Sequence, residues 1–370
     1  MFQVIAQWFQ RHFSHPQAVL LAVLLVVSFT IVLTMGTMLA PVLAAVVIAY
    51  LLEGPVSKIE RSGMQRLWVV VVVFLLFSVF VAFLMFGVTP LLWAQAKQLI
   101  RELPGYIAEG QRMLENLPDQ FAFISHEQVR QFTGAIQAEL ATLGQRILTL
   151  SLASIPGVIT WIVYLILVPL LVFFFLKDKV LIVRWLTEFM PHERGLATQI
   201  WRDVDQQLGN YVRGKFWEIL IVGGVTYVTF AAMGLKYSAL LATLVGLSVI
   251  IPYIGAAVVT IPVAMIAFFQ WGWGAEFAYL MIAYGIIQAL DGNLLVPLLF
   301  SEVVNVHPIA IIVSVLVFGG LWGFWGVFFA IPLATLINVL LRAWPREQGD
   351  EHSTVPPSAG EPLAQSASDA

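Results

Sequence analysis

The 370-residue chain is 60% hydrophobic and 11% charged, with a mean hydropathy of +0.89. A soluble domain carries about 25% charged residues, so a soluble globular protein is excluded and an all-α polytopic membrane protein is predicted. The net charge of −3 offers no basic footprint for nucleic acid, and the absence of cysteine excludes disulfides, thiolate metal sites and thiol catalysis.

Runs such as residues 69–83 are apolar on every face instead of alternating, which argues against a membrane β-barrel. Residues 1–17 place Phe2, Val4, Ile5, Trp8, Phe9 and Phe13 around a basic Arg11. They read as an interfacial amphipathic segment or a frayed end. Apolar runs at 18–35 and 38–52 predict spans one and two, joined by a tight turn at Gly36. The first run is too long for a cleaved signal, and the second follows it almost at once. Span three covers 67–93, so 18–93 holds three spans. Residues 94–150 carry five basic and six acidic residues, with Val129, Phe132, Ile136, Leu140, Leu143 and Ile147 at helical spacing. They predict a periplasmic helical insert divided at Pro104 and Pro118. Span four lies in 151–176. Residues 177–215 carry seven basic and five acidic residues and read as cytoplasmic amphipathic helices broken at Pro191. Residues 216–345 form a C-terminal transmembrane core. The segment 346–370, rich in Ser, Pro, Gly, Ala and acids, reads as a disordered cytoplasmic tail.

Arg11, the 53–66 loop, the 177–215 segment and Arg342/Arg346 hold thirteen of the nineteen basic residues. Placing all four on one side satisfies the positive-inside rule. That puts both termini in the cytoplasm and the 94–150 insert outside, and makes the span count even, about eight.

The C-terminal core organises the chain. From Tyr237 no Lys or Arg occurs until Arg342, and the acids are Glu276, Asp291 and Glu302. Prolines and glycines interrupt it at Ile251-Pro252-Tyr253-Ile254-Gly255, at Asp291-Gly292-Asn293 through Pro297, at His307-Pro308, and from Gly319 to Pro332. Irregular backbone at membrane depth persists only where protein or a polar cavity satisfies its freed groups. Residues 237–251 and 253–270 are each short of a full span, so they either cross twice or enter and return. Residues 308–341 form one bent span, or a re-entrant piece followed by a span.

Asp291 is the foremost candidate. A charged Asp at the bilayer centre costs at least ~2.5–3.5 kcal/mol, so it needs a partner, a bound cation or protonation. Gln288 and Asn293 are near enough in sequence to orient it. The alternative is a helix N-cap at the interface with Gly292 as turn residue. Pro252 and Gly255 mark a break that either lines a pathway or turns between spans. Glu302 reads mainly as interfacial, with gating as the other role. Glu53 and Glu218 read as boundary residues that snorkel or cap. Gly319, Gly320, Gly323 and Gly326 interleave with Trp322, Phe324 and Trp325. They read as a close-packing hinge, and the tryptophans suit an interface or subunit contact, leaving a homo-oligomer open. Gly209–Phe216 nearly spells a phosphate-binding loop, but Phe216 stands where a hydroxyl is needed. It reads instead as a helix entering the membrane with basic residues at the headgroups. No HExxH, GxSxG or carboxylate dyad is present, so no enzyme, metal or cofactor is predicted.

Several stretches together resemble the autoinducer-2 exporter family of bacterial inner-membrane transporters. They are Ala40-Pro41 through Tyr50-Leu51-Leu52, Phe175-Leu176-Lys177-Asp178-Lys179, Tyr211-Val212-Arg213-Gly214-Lys215, Ile250 to Gly255, Gln288 to Pro297, and Gly319 to Pro332. The resemblance implies about eight spans with cytoplasmic termini, and export of small polar signals such as autoinducer-2 or, in some members, cation–proton exchange. The reading is a secondary transporter or permease in the lipid bilayer for a small polar solute or cation. Its pathway lies at the breaks near Pro252 and Asp291. The rival is a non-transporting scaffold that recruits partners through its amphipathic inserts.

Overall fold

The computed structural model describes residues 16–115, 127, 131, 134, 155–188, 195–252, 254–300 and 307–343, and every element among them is helical. The first fifteen residues, the 94–150 insert beyond Glu115 apart from three positions, the Pro191 break, Tyr253, Glu302 and the 346–370 tail lie outside the described residues.

Helix α1 spans Pro16–Glu60. The turn expected at Gly36 does not form, and the chain stays helical through Gly36, Pro41 and Pro55. A Cβ at Gly36 would sit 2.3 Å from Trp322 Nε1, so the glycine admits a neighbouring indole and turns nothing. Without competing water, apolar helices in lipid tolerate glycine and proline. Forty-five residues make a rod of about 67 Å, roughly twice the ~30 Å hydrocarbon layer.

Helix α2 (Arg66–Phe83) runs through a π-helical turn at Leu84–Val88 into α3 (Thr89–Glu115). Pro104 lies within α3 and does not divide it. Its face is exposed, where water can satisfy the carbonyl it frees. Helix α4 (Ile155–Lys177) is followed by α5 (Lys179–Glu188), and α6 (Gly195–Ala232) carries the polar 195–215 stretch into an apolar span without a boundary.

A tight turn with positive φ at Gly234 and Tyr237 leads into α7 (Ser238–Ser248). Gly223 and Gly246 let α7 lie backbone to backbone on α6, since a Cβ on Gly246 would be 3.0 Å from Gly223 Cα. Pro252, without an N–H, stops the helix. Helix α8 (Ile254–Trp271) then returns to the starting level. Lys236 N donates to Gln270 Oε1 and Gln270 Nε2 donates to Gly234 O, both at 2.8 Å. Residues 237–270 are therefore a broken hairpin whose two open ends meet. Its tip closes on Gly255, where a Cβ would fall 1.8 Å from Ser248 O.

Helix α9 (Ala275–Leu290), a π-helical turn at Asp291–Leu295 and α10 (Val296–Phe300) follow without interruption. Helix α11 (Pro308–Ala343) breaks at Gly323 (φ 59°, ψ −135°). A Cβ on Gly326 would meet Phe318 O at 1.8 Å, whereas eight residues of straight helix span about 12 Å. The two arms of α11 thus fold against each other at Gly323.

Among the described residues six helices are long and apolar enough to cross a membrane, and Val163–Lys177 and Ser238–Ser248 are shorter apolar pieces. One core joins α1, α2 and α4 around Val56, Val69 and Val172. Another joins α6 to α9 around Phe230, Leu241, Val263 and Tyr284. A third, around Tyr211, Ile250, Phe300 and Phe328, ties α6 to the hairpin tip, α10 and α11.

Candidate functional site

Helix α6 is the spine of the site. Tyr211 donates to Phe328 O at 2.8 Å and packs against the Phe300 and Phe328 rings. Gly214 lets Phe300 approach, since a Cβ there would meet its ring at 2.7 Å. One residue on, Lys215 is buried with Glu218, their side chains 5% and 2% exposed. The lysine Nζ donates to Glu218 Oε2 and to Val249 O, each at 2.7 Å, and lies 5.2 Å from the centre of the Phe300 ring. Val249 is the C-cap of α7. Its carbonyl belongs to the last turn, which has no helical donor, and a cation there also opposes the helix dipole.

Asp291 faces this pair from the π-helical turn. It is half-buried, and its Oδ1 is buried without a hydrogen-bond partner. The charges of Lys215 and Glu218 both interact with it. Three residues back on the same face, Gln288 keeps a buried Nε2 without a partner beside Tyr284. Thr260 on α8 donates to the Tyr284 hydroxyl at 3.2 Å, and Thr226 on α6 adds a fully buried, unpartnered hydroxyl. A discontinuous polar strip thus runs from the hairpin tip along α6, α8 and α9. Unpaired buried polar atoms cost free energy, so their clustering marks a place where a polar guest could be bound.

The expected residues separate. Asp291 lies within electrostatic reach of Lys215 and Glu218 on α6, Gln288 lies beside Tyr284, and Pro252 and Gly255 belong to the hairpin tip. Asn293 and Pro297 are exposed, and the Asn293 amide donates to Ala289 O of its own helix at 2.8 Å. Asp291 keeps helical φ and ψ (−59°, −59°), so it is no N-cap, and Gly292 sits in the π turn. Gly319, Gly323 and Gly326 shape the α11 reversal, and Gly320 is exposed. Glu302 lies outside the described residues.

The sequence places Lys215 with basic residues at the headgroups and Glu218 as a boundary residue that snorkels or caps, and the structure adds that the two side chains are buried and paired with each other. The signal was the i,i+3 spacing of opposite charges on one face of a helix entering an apolar run.

Two polar layers frame the site. On one side Arg66 donates to Leu176 O at 2.7 and 3.1 Å, to Glu60 Oε2 at 2.8 Å and to Glu53 Oε2 at 3.1 Å, while Lys179 reaches Glu53 Oε1 at 3.2 Å. On the other, α3 docks on the open ends of the hairpin. Gln95 Oε1 accepts from Leu240 N at 2.9 Å, Glu102 pairs with Lys236 at 3.4 Å, and Tyr106 stacks on Phe269 at 5.2 Å.

The sequence matches the profile of the AI-2E family transporters over residues 18–346. It is 47% identical over 349 residues to "Putative permease PerM" of Escherichia coli (strain K12), covering 94% of this chain and 99% of that protein. It is 28% identical over 298 residues to "Putative transport protein YueF" of Bacillus subtilis (strain 168), covering 79% of this chain and 80% of that protein. With "Putative transport protein YrrI" of the same strain it shares 26% identity over 311 residues, 80% of this chain and 84% of that protein. A match of this extent, on a helical chain built for lipid, makes the protein a member of the AI-2E family of membrane transporters.

Proposed function

We propose that this multi-pass membrane protein is a secondary transporter that moves a small polar solute, or exchanges a cation for protons, along the face shared by α6, α8 and α9. The observation that carries the reading is Asp291, whose Oδ1 is buried without a partner on a π-helical turn within electrostatic reach of the buried Lys215–Glu218 pair. Buried ionisable groups within a membrane domain mark solute or proton paths by default, and π-helical turns gather at functional sites. The broken α7–α8 hairpin provides the irregular backbone on which such sites are built. The names of the relatives, a permease and transport proteins, support the same class.

The protein belongs to a bacterial inner membrane on this reading. The layer holding Arg66, Lys179 and the start of α6 faces the cytoplasm, where the basic residues concentrate. The α3 layer and the 94–150 insert face the periplasm.

Flux in proteoliposomes tests the proposal, with wild type beside Asp291→Asn. An internal pH dye reports protons while Na⁺, K⁺ and polar metabolites are added in turn. Wild type should carry flux, and the variant should fold normally and carry none. Equal flux in both would remove Asp291 from the pathway. Silence from both across the panel would favour a scaffold.

A further inference from the structure

The Lys215 ammonium joins two things that sequence keeps 34 residues apart, a buried carboxylate on its own helix and the backbone at the tip of the hairpin. The rest of the α6–α7 contact is apolar packing, Val222 and Phe230 with Leu241 and Val245, and the close approach of Gly223 to Gly246, which fix distance but supply no directional bond. Lys215 and Glu218 of α6 pair there, and Asp291 on the π turn lies within electrostatic reach of both. With all three ionised the cluster carries one negative charge in excess. Tyr211 on α6 is the other titratable group facing Glu218. Helix α7 contributes the Val249 carbonyl, α10 the Phe300 ring, and neither α7, α8 nor α10 has an ionisable side chain.

We propose that Lys215 is the latch of the α7–α8 hairpin, and that a cation neutralising Glu218 releases it by handing Lys215 to Asp291. An ammonium has three N–H donors. Two are held by Glu218 and Val249 O, and the strength of both bonds depends on the geometry that Glu218 imposes. Asp291 waits with an unpartnered oxygen. When a proton or metal cation occupies Glu218, the remaining carboxylate is the better partner, and moving toward it takes the ammonium off Val249 O. The hairpin tip then loses its polar tie to α6 and its end carbonyls open to whatever fills the site. Lys215 is thus a positioning residue that couples occupancy of the carboxylates to the backbone break. The inference rests on the transport reading for what the movement accomplishes, and its test reads the movement itself.

The chain has no cysteine, so a Ser248→Cys reporter beside the tip is unambiguous. Ser248 is buried, 8% exposed, and the exchange is nearly isosteric. The full chain is reconstituted in vesicles and labelled with a small water-soluble methanethiosulfonate. In one arm pH falls at fixed salt. In the other Na⁺ or K⁺ rises at fixed pH. Labelling should accelerate about tenfold in one arm, the scale of losing one charge-assisted hydrogen bond, and that arm names the cation. Glu218→Gln should label fast under all conditions. Lys215→Arg, which keeps the charge, should retain the response. A rate that stays constant in both arms, or a Glu218→Gln protein that stays slow, overturns the latch. A responsive tip without flux keeps the latch and removes the transport reading. Flux with an unresponsive tip removes the latch alone.

Discussion

Arg66 and Lys215 are both cations that donate to a carbonyl at the C-terminal end of another helix, Leu176 and Val249, but their surroundings differ. Arg66 is 22% exposed and its partners Glu53 and Glu60 are 15% and 37% exposed. It closes on a carbonyl and two carboxylates, and Lys179 supplies a second positive charge. Charges and acceptors are matched, so the cluster works as a clamp joining α1, α2, α4 and α5. Lys215 and Glu218 are nearly sealed from solvent, and the third charge beside them, Asp291, keeps an unpartnered oxygen. Matched charges near water hold a structure together. An unmatched charge beside a buried pair stores a demand that a ligand or a rearrangement can meet.

The largest test of that difference is Lys215→Met. It strands Glu218 in the core, and breaking one side of a buried pair costs about 3–5 kcal/mol. Thermal unfolding in detergent should show a large loss of stability. Adding Glu218→Gln should restore most of it, because the uncompensated charge is gone, while proteoliposome flux stays absent. Recovery of both stability and flux in the double variant would make the pair a second clamp.

Gly255→Ala comes next. Its Cβ would collide with the Ser248 carbonyl, so the hairpin tip must open, at a cost of about 1–3 kcal/mol for overpacking. Gly292→Ala, a helical position with nothing within 4 Å, is the control and should gain up to about 1 kcal/mol in helix propensity. Equal unfolding temperatures for the two would contradict the close approach at the tip.

The all-helical membrane class was legible because apolar runs longer than a bilayer is thick have few other solutions. Pro252 as a break was legible too, from a single residue whose physics is local. The reading failed at Gly36 and Pro104, where local chemistry and environment disagree. A glycine that turns a chain in water admits an indole in lipid, and a proline on a wet face does not stop a helix. Burial of Lys215 depends on a carbonyl 34 residues downstream and on a hairpin that folds back. No window of sequence contains that contact.

Arg66→Met sharpens the comparison from the other side. Water reaches the carboxylates it leaves behind, so the loss should be about 1–2 kcal/mol, below that for Lys215→Met. Flux measured below the unfolding temperature should persist. A loss of flux at intact stability would place the clamp in the transport cycle.

Asn293→Ala should do least. Sequence proximity makes Asn293 a natural partner for Asp291, but the π turn rotates it away. Its side chain is exposed, and its amide bonds the carbonyl four residues back. Removing a surface bond of this kind changes stability by no more than about 0.5 kcal/mol, and flux should match wild type. Gln288→Ala is the paired measurement. Gln288 shares the Asp291 face and keeps a buried, unpartnered amide nitrogen, so its loss should lower flux or shift its half-saturating concentration. If the two results are reversed, the pathway lies on the outer face of α9, and the Lys215 cluster is structural after all.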